Sequence, residues 1–241
     1  MLRWMLCFIL LSLSVLSVAS ERLVVGDFSA QKNGGLPAGW ESLLFDGVER
    51  HTVYTQVVDE QGSAVVQAES VNASSGFVRK IQIDSAQWPI VSWRWKIQHV
   101  LKNADLAQKK GDDAPARLYI TFAYDASEVS WWEKVTFETI KLLYGEHPPI
   151  AALMYVWASH ADEGTVIDSP YTSRVKVIVL QSGDDKAKQW VMQRRDVHAD
   201  YLQAFGGKQV PMISGVAIMT DTDNTGEQAL TWYGDIIFES F

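Results

Sequence analysis

The alternation of apolar and polar residues with a period of two constrains the fold more than any other feature. In 90–97 it places two tryptophans on one face and an arginine and a lysine on the other. The segments 76–83 and 117–124 alternate in the same way. Other segments rich in strand-forming residues are 23–25, 51–58, 64–68, 153–158, 175–180, 190–194, 216–219 and 230–238. This pattern predicts a chain made mainly of β-strands.

Two segments depart from the strand pattern. The spacing of apolar residues in 130–144 is typical of a helix, with Ser130 as its N-cap. The segment 196–205 begins at a capping Asp196 and is followed by two glycines. Because strands and helices do not alternate regularly, we expect an all-β antiparallel sandwich with two short helices in its connections. No repeat or linker divides 21–241, which predicts a single domain.

The N-terminal segment has the order of features found in a signal peptide. Arg3 gives it a positive start, 4–16 is almost entirely apolar, and small residues precede Glu21. The apolar run is short for a membrane span. We therefore expect removal of residues 1–20, a periplasmic or secreted protein and no transmembrane anchor after cleavage. An uncleaved anchor remains the alternative.

Composition narrows the classes of partner and the source of stability. The only cysteine is Cys7, inside the apolar N-terminal run, so the exported chain has no cysteine for a disulfide and depends on its core. The formal net charge is −8. This acidic balance argues against nucleic acid and anionic membrane surfaces as partners.

A dense group of oxygen-bearing side chains follows the strand at 216–219. Asp221, Asp223 and Asn224 lie within four residues, before a turn at Gly226. Carboxylate and amide oxygens suit Ca²⁺, although no downstream glutamate occupies the position that a helical calcium loop requires. The alternative is a turn in which these side chains accept hydrogen bonds from their own backbone. Both interpretations stay open.

A second acidic pair, Asp112 and Asp113, follows Gly111 and precedes a strand that carries Arg117. Adjacent side chains on a strand point to opposite faces, so these two carboxylates are poorly placed to act as an acid and base pair. One of them can pair with Arg117, either to hold a loop or to contact a ligand. Since loops at strand ends gather at the rim of a sandwich, we predict that this group lies near the 220–225 loop, beside Trp93, Trp95 or Trp157. The alternative is two unrelated turns at opposite ends of the sheet, each capped by its own aspartate.

Aromatic residues offer a candidate binding face. Either they form the core, or one face of the set is exposed and stacks on sugar rings. The residues concerned are Trp93, Trp95, Tyr119, Tyr155 and Trp157.

Motifs for nucleophilic, metalloprotease, phosphate-loop or dinucleotide chemistry do not occur in the sequence. The histidines are scattered, and His160 and His198 are the two with an aspartate within two residues. Catalysis by histidine therefore has little support.

An ordered string of motifs resembles the bacterial family known as domain of unknown function 3047. The resemblance covers nearly the whole exported chain, and the family has no settled activity, so it implies little about chemistry. The motifs are Trp93-Arg-Trp95, Gly111-Asp-Asp113 with Arg117, Tyr155-Val-Trp157, Asp200-Tyr201 with Phe205-Gly206, and Met219-Thr-Asp-Thr-Asp-Asn-Thr225 with Tyr233-Gly-Asp235.

The Gly-Asp-Phe segment at 26–28, Trp40 and the Gly-Asp-Ile segment at 234–236 are also similar to jelly-roll modules of the galactose-binding type. That likeness implies a jelly-roll fold and a structural Ca²⁺ held by Asp27 and Asp235.

Two classes of function follow from these observations. The first is a non-catalytic jelly-roll module that binds carbohydrate or an envelope polymer. The second is a glycan-acting hydrolase or lyase that uses Asp112, Asp113, Asp221 or Asp223 with Arg117. A structural or assembly protein of the cell envelope is a third possibility.

Overall fold

Two β-sheets face each other in the computed structural model of the protein, which describes residues 20–30, 35, 37–125, 141 and 148–241. Within these residues the chain forms thirteen strands, one α-helix and a short 3-10 turn at Lys109–Gly111. The strands of the first half are β1 Arg22–Gly26, β2 Trp40–Leu43, β3 Val53–Val58, β4 Ala64–Val71, β5 Gly76–Ile83, β6 Ile90–Ile97 and β7 Ala116–Phe122. The second half contributes β8 Ala151–Ala158, β9 Val166–Asp168, β10 Val175–Ser182, β11 Val191–Asp196, α1 Val197–Phe205, β12 Ile213–Met219 and β13 Gln228–Glu239.

The strand order confirms the predicted sandwich of jelly-roll type. The first sheet has the order β11-β6-β13-β4-β3, with β1 also paired to β13, and the second has the order β2-β5-β12-β7-β8-β10-β9. All of these pairs are antiparallel except β8 with β10, which run parallel. Because β1 pairs with β13, the first and last strands lie side by side.

The inward faces of the two sheets form the main core. On β7, Leu118, Ile120 and Phe122 point inward and are fully buried, as the alternation predicts. Aromatic rings join the sheets, with Trp93 of β6 centred 5.5 Å from Tyr155 of β8. A smaller apolar cluster covers part of the outward face of the second sheet and includes Met154, Val156 and Val177. Leu106 and Ala114, from the loop between β6 and β7, belong to the same cluster, so this loop covers part of the outward face.

The predicted helix at 196–205 is confirmed as α1. The carboxylate of Asp196 accepts a hydrogen bond from the backbone N–H of Ala199 (2.9 Å), and Gly206, with φ of 75°, ends the helix. The predicted helix at 130–144 lies outside the described residues, apart from Lys141. The short strands β2 and β9 were not predicted, because four and three residues are too few to show a period.

The signal peptide stays a prediction, since residues 1–19 are outside the described part of the chain. Among the residues that are described, no helix has the length and apolar character of a membrane span.

The burial of Phe122 gives a test of the core. Its ring is fully buried and lies 4.4 Å from the ring of Tyr201 on α1. We expect Phe122→Ala to lower the free energy of unfolding by about 3–5 kcal/mol, because the core loses contacts and gains a cavity. The matched control, Phe241→Ala, removes a ring that is 82% exposed and should change stability by less than about 0.5 kcal/mol. Urea unfolding followed by circular dichroism measures both, and equal effects would contradict this assignment of the core.

Candidate functional site

A buried arginine lies at the centre of the polar region on the outward face of the second sheet. Arg117 alternates with the inward residues of β7, so its side chain points away from the main core. It is nevertheless only 1% exposed. Its side chain is therefore held in a low-dielectric environment, where its hydrogen bonds decide its energy.

The guanidinium of Arg117 joins two loops that are far apart in sequence. Its Nε and Nη2 donate to the two carboxylate oxygens of Asp221 at 2.8 and 2.9 Å. Nη2 also donates to the backbone carbonyl of Asp112 at 2.7 Å, and Nη1 lies 3.2 Å from the Asp112 carboxylate. Nη1 further approaches Met154 Sδ at 2.9 Å. The predicted meeting of the 111–113 group with the 220–225 loop is what the structure shows.

The two loops also cap each other. The carboxylate of Asp113 accepts hydrogen bonds from the backbone N–H groups of Thr225 (2.6 Å) and Asn224 (3.3 Å). In return, Asp221 accepts one from the backbone N–H of Ala114 at 3.2 Å. These carboxylates therefore satisfy backbone donors at a buried junction, which accounts for the acidic residues in both motifs.

Close approach of the backbone explains the glycine of the first motif. A Cβ on Gly111 would lie 2.8 Å from the backbone nitrogen of Asp105, which donates to the Gly111 carbonyl. In the second loop, Gly226 has a φ of 70° and its N–H donates to the carbonyl of Thr222. Both glycines hold the loops in conformations that a larger residue would strain.

The junction carries more negative than positive charge. Carboxylate oxygens of Asp113, Asp221 and Asp223 all lie within 4.8 Å of one another. Burial raises the pKa of Asp221 to about 8, and the nearby Asp113 and Asp112 act in the same direction against the opposing effect of Arg117. Burial likewise raises the pKa of Asp113. Both shifts indicate a site in which an additional positive charge or a proton is stabilised.

The excess of carboxylates at the junction also shifts the pKa of Arg117. Burial by itself would lower it, but the carboxylates of Asp221 and Asp112 raise it well above its ordinary value. Burial also raises the pKa of Tyr119, the next outward residue of β7, to about 12. Arg117 is therefore a permanent cation, and Tyr119 presents a neutral hydroxyl beside it.

A cleft of about 620 Å³, which we name the outer cleft, opens beside this junction. Its floor is the outward face of β5, β12, β7 and β8, and its polar lining includes Asp46, Asp112, Asp223 and Asn224. Its apolar lining includes Leu43, Phe45, Val78, Met154, Tyr171 and Met219. Sequence reasoning missed Phe45 and Tyr171, because they lie in loops that no periodic pattern identifies.

Asp223 differs from its acidic neighbours. It is partly exposed, and it makes no hydrogen bond or ion pair within the described part of the chain. Asn224 is exposed and contacts Asp113 through its backbone N–H. Both side chains line the outer cleft, so the sequence correctly placed Asp223 and Asn224 near Asp112 and Arg117.

The expectation of an exposed aromatic platform is wrong for four of its five residues. Trp93, Trp95, Tyr155 and Trp157 are each at most 1% exposed and pack between the sheets. They occupy the inward face, whereas Arg117 lies on the outward face of the same sandwich. The polar junction is therefore not beside these tryptophans, and their ring faces are used in packing. Tyr119, by contrast, is partly exposed in the outer cleft.

The second candidate calcium pair is separated from this site. Asp235 accepts hydrogen bonds from the backbone N–H of Ser29 at 2.8 Å and from its hydroxyl, while the Asp27 side chain is exposed. Among the described residues, the one group of three close metal-ligating side chains is Asp113, Asp221 and Asp223. Thus the adjacent termini form a serine–aspartate contact, and a calcium ion at Asp27 and Asp235 stays a prediction.

The two histidines with an aspartate within two residues contact other groups. His160 Nε2 lies 3.0 Å from the Lys102 carbonyl, and His198 Nδ1 lies 3.0 Å from the Ser85 hydroxyl. These contacts provide no histidine–carboxylate pair for catalysis.

The ion pair at the centre of the junction can be tested by stability. We expect Arg117→Met to lower the free energy of unfolding by about 3–5 kcal/mol, because Asp221 would remain buried without its partner. The control Arg194→Met breaks an ion pair with Glu239 in which the arginine side chain is 61% exposed and should cost less than about 1 kcal/mol. Chemical denaturation measures each variant. Adding Asp221→Asn to Arg117→Met should recover part of the loss, and an unchanged stability of the single variant would refute a buried charge pair.

The chain resembles solved structures over most of its length, at low sequence identity. No curated protein matches the sequence. Similar solved structures include a cleaved adhesin domain of Lys-gingipain from Porphyromonas gingivalis (13% identity, TM-score 0.38, 90% of this chain and 100% of that one). Others are a family 12 xyloglucanase from Bacillus licheniformis (9%, 0.41, 84% and 100%) and a thermostable cellulase derived from that of Rhodothermus marinus (10%, 0.41, 92% and 100%). These TM-scores are too low for the likenesses to indicate a function.

A protein-family model also matches most of the chain. The model described as "Protein of unknown function (DUF3047)" matches residues 38–237, which include both acidic loops, Arg117 and the whole lining of the outer cleft. The chain therefore belongs to the DUF3047 family.

Proposed function

We propose that the protein is a non-catalytic binding protein, exported from the cytoplasm, whose ligand occupies the outer cleft. The ligand that fits best has an apolar body and a positively charged head. The single observation that carries this proposal is the combination, in one cleft, of an apolar floor with an unpaired carboxylate at its end.

The apolar part of the ligand is inferred from the floor of the cleft. Outward residues of neighbouring strands, Val78, Ala217, Met219 and Met154, lie side by side on the second sheet. Tyr171, which is 57% exposed, lies at the cleft as well. A cleft of about 620 Å³ with such a lining is typical of sites for small organic molecules. Burial of the apolar body in this cleft would supply most of the affinity.

The charge of the head is inferred from the polar end. Asp46, Asp112, Asp221 and Asp223 line the cleft together with one cation, Arg117. Arg117 already pairs with Asp112 and Asp221, so it does not neutralise the other two. An ammonium group beside Asp223 would complement the remaining negative charge and donate a hydrogen bond to this carboxylate.

The engagement of the carboxylates argues against hydrolysis or elimination. A glycosidase needs two carboxyl groups that face the substrate from either side, roughly 5–10 Å apart. Both oxygens of Asp113 and of Asp221 accept hydrogen bonds from the protein, and Asp112 is held by Arg117. Asp223 is the one acid of the junction that no other described residue holds. The junction itself therefore offers one free carboxylate, which supports binding better than a hydrolase or lyase mechanism.

A carbohydrate or envelope polymer, the partner predicted from the sequence, stays a prediction for this protein. The floor of the outer cleft is mostly aliphatic. It therefore supports a carbohydrate ligand less than an exposed tryptophan platform would. The acidic balance of the chain, with a net charge of −8, still argues against nucleic acid as a partner.

Calcium is a second proposal for the same polar end. Asp113, Asp221 and Asp223 offer oxygen atoms within 4.8 Å of one another, and an all-oxygen set fits a hard cation such as Ca²⁺. The hydrogen bonds from Arg117 to Asp221 oppose it, because they place a positive charge beside the ion. A bound Ca²⁺ would stabilise the two loops rather than perform chemistry.

The ligand class can be tested with three probes that share one alkyl chain. Isothermal titration calorimetry, in EDTA and below the critical micelle concentrations, compares dodecylamine, dodecanoate and dodecyl maltoside. We expect dodecylamine to bind most tightly. Asp223→Asn should weaken its binding roughly fivefold, since it removes one partly exposed charge pair worth about 1 kcal/mol.

The control for this test is Asp185→Asn, the same substitution at an exposed acid outside the outer cleft. It should bind dodecylamine as the wild type does. Equal affinity for the amine and the carboxylate, or equal affinity of Asp223→Asn and the wild type, would overturn the proposed head group. Failure of all three probes to bind would overturn the proposed function.

Calcium is tested separately by thermal unfolding with CaCl₂ or EDTA. If the ion binds the folded state alone, the gain is about 2.7 kcal/mol at a free concentration about 100 times the Kd. We expect Ca²⁺ to raise the Tm of the wild type and of Asp185→Asn, and not that of Asp223→Asn. The same Tm with Ca²⁺ and with EDTA would show that the 220–225 loop is a capped turn without an ion.

A further inference from the structure

A second cleft of about 690 Å³ lies at an open edge of the sandwich. We name it the edge cleft. Its walls are β9 and β10 at the end of the second sheet, β11 at the end of the first sheet, and α1. On its floor, Ile178 belongs to the main core and Leu180 packs against that core. The edge cleft is thus the mouth of the space between the sheets, and it shares no lining residue with the outer cleft.

The charges around the edge cleft are balanced. Three acidic and three basic side chains line it, and the basic ones are paired: Lys176 with Asp168, Arg195 with Asp200, and Arg194 with Glu239 outside the cleft. Glu163, the remaining acid, lies 3.6 Å from Lys186. Neither an anion nor a cation is therefore favoured by the net charge of the lining, in contrast to the acidic outer cleft.

A glutamine on the wall of the edge cleft has hydrogen-bonding capacity that the protein does not use. Gln193 points inward from the edge strand β11 and is only 9% exposed. Its amide nitrogen is buried and has no hydrogen-bond partner in the described part of the chain. An unsatisfied buried donor costs about 1–3 kcal/mol, so its presence beside a cleft points to a role outside folding.

Next to Gln193, a hydrogen-bond network holds an arginine in a defined orientation. The Tyr155 hydroxyl, buried in the core, donates to Asp200 at 2.7 Å. Arg195 donates to the same carboxylate through Nε, at 2.9 Å, and through Nη2. The guanidinium is therefore fixed while its Nη1 group is left for another acceptor, and pre-organised donors of this kind lower the cost of binding.

We infer that the edge cleft binds an uncharged, polyhydroxylated ligand, that is, a neutral saccharide. Each hydroxyl group both donates and accepts, which suits a lining that offers the amides of Gln193 and Gln203 and the guanidinium of Arg195. The apolar strip at Ile178 matches the C–H face of a sugar ring. The inference concerns a different site from the proposed function and does not depend on it.

The test measures binding of neutral oligosaccharides of glucose, xylose, mannose and galactose to the purified protein by isothermal titration calorimetry. Oligogalacturonate and chitosan oligomers serve as anionic and cationic probes. The informative variant is Gln193→Leu, which removes the unpaired amide and keeps most of the side-chain volume. Because it deletes an unsatisfied buried donor, it should leave the Tm unchanged or raise it.

We expect at least one neutral oligosaccharide to bind, and Gln193→Leu to weaken that binding about tenfold, as loss of one good hydrogen bond would. Gln98→Leu, at an exposed glutamine outside the cleft, and Asp223→Asn, in the outer cleft, should bind it as the wild type does. If Gln193→Leu lowers the Tm, Gln203→Ala replaces it, since Gln203 is exposed on α1 and lines the same cleft.

Three results would overturn the inference. One is the absence of binding by every neutral oligosaccharide. Another is wild-type affinity in both Gln193→Leu and Gln203→Ala. The third is tighter binding of the anionic or cationic oligomer than of any neutral one.

Discussion

The buried guanidinium of Arg117 is the interaction on which the polar side of this molecule depends. A guanidinium that is buried away from water needs hydrogen-bond acceptors from the protein. Asp112 and Asp221 supply them from two loops that are about a hundred residues apart in sequence. Because Asp113 and Asp221 also cap backbone N–H groups, the two loops are held as one unit. The outer cleft, its acidic end and the position of Asp223 all follow from that junction.

The two sheets separate packing from recognition. The inward faces hold the large rings, including those of Trp95 and Trp157, which pack at a centroid distance of 6.2 Å. The outward face of the second sheet is instead partly covered by loops, and the outer cleft lies where they leave it open. The rigid strands then fix the lining of the outer cleft, while the edge cleft forms where the inter-sheet space reaches the surface.

From the sequence, each of these acidic residues could either hold a loop or contact a ligand. The structure shows that the role differs from one residue to the next. Asp112, Asp113 and Asp221 are bound by Arg117 or by backbone donors, so they act as structural elements of the junction. Asp223 alternates with Asp221 along the loop and is left facing the cleft. Proximity in sequence therefore did not imply a shared role, because each carboxylate meets a different set of donors in space.

The sequence by itself determined the all-β class, most strand positions and the helix α1. Those features depend on local period, capping and the ends of strands, which neighbouring residues encode. A period of two shows which residues share a face but not which face is covered, so the burial of Trp93 and Tyr155 was decided by how the second sheet packs against the first. The pairing of Arg117 with Asp221, the cleft residues Phe45 and Tyr171, and the edge cleft at Gln193 all depend on contacts between distant segments. Only the tertiary structure could decide them, because the energy of a buried polar group is set by the partners that the fold brings to it.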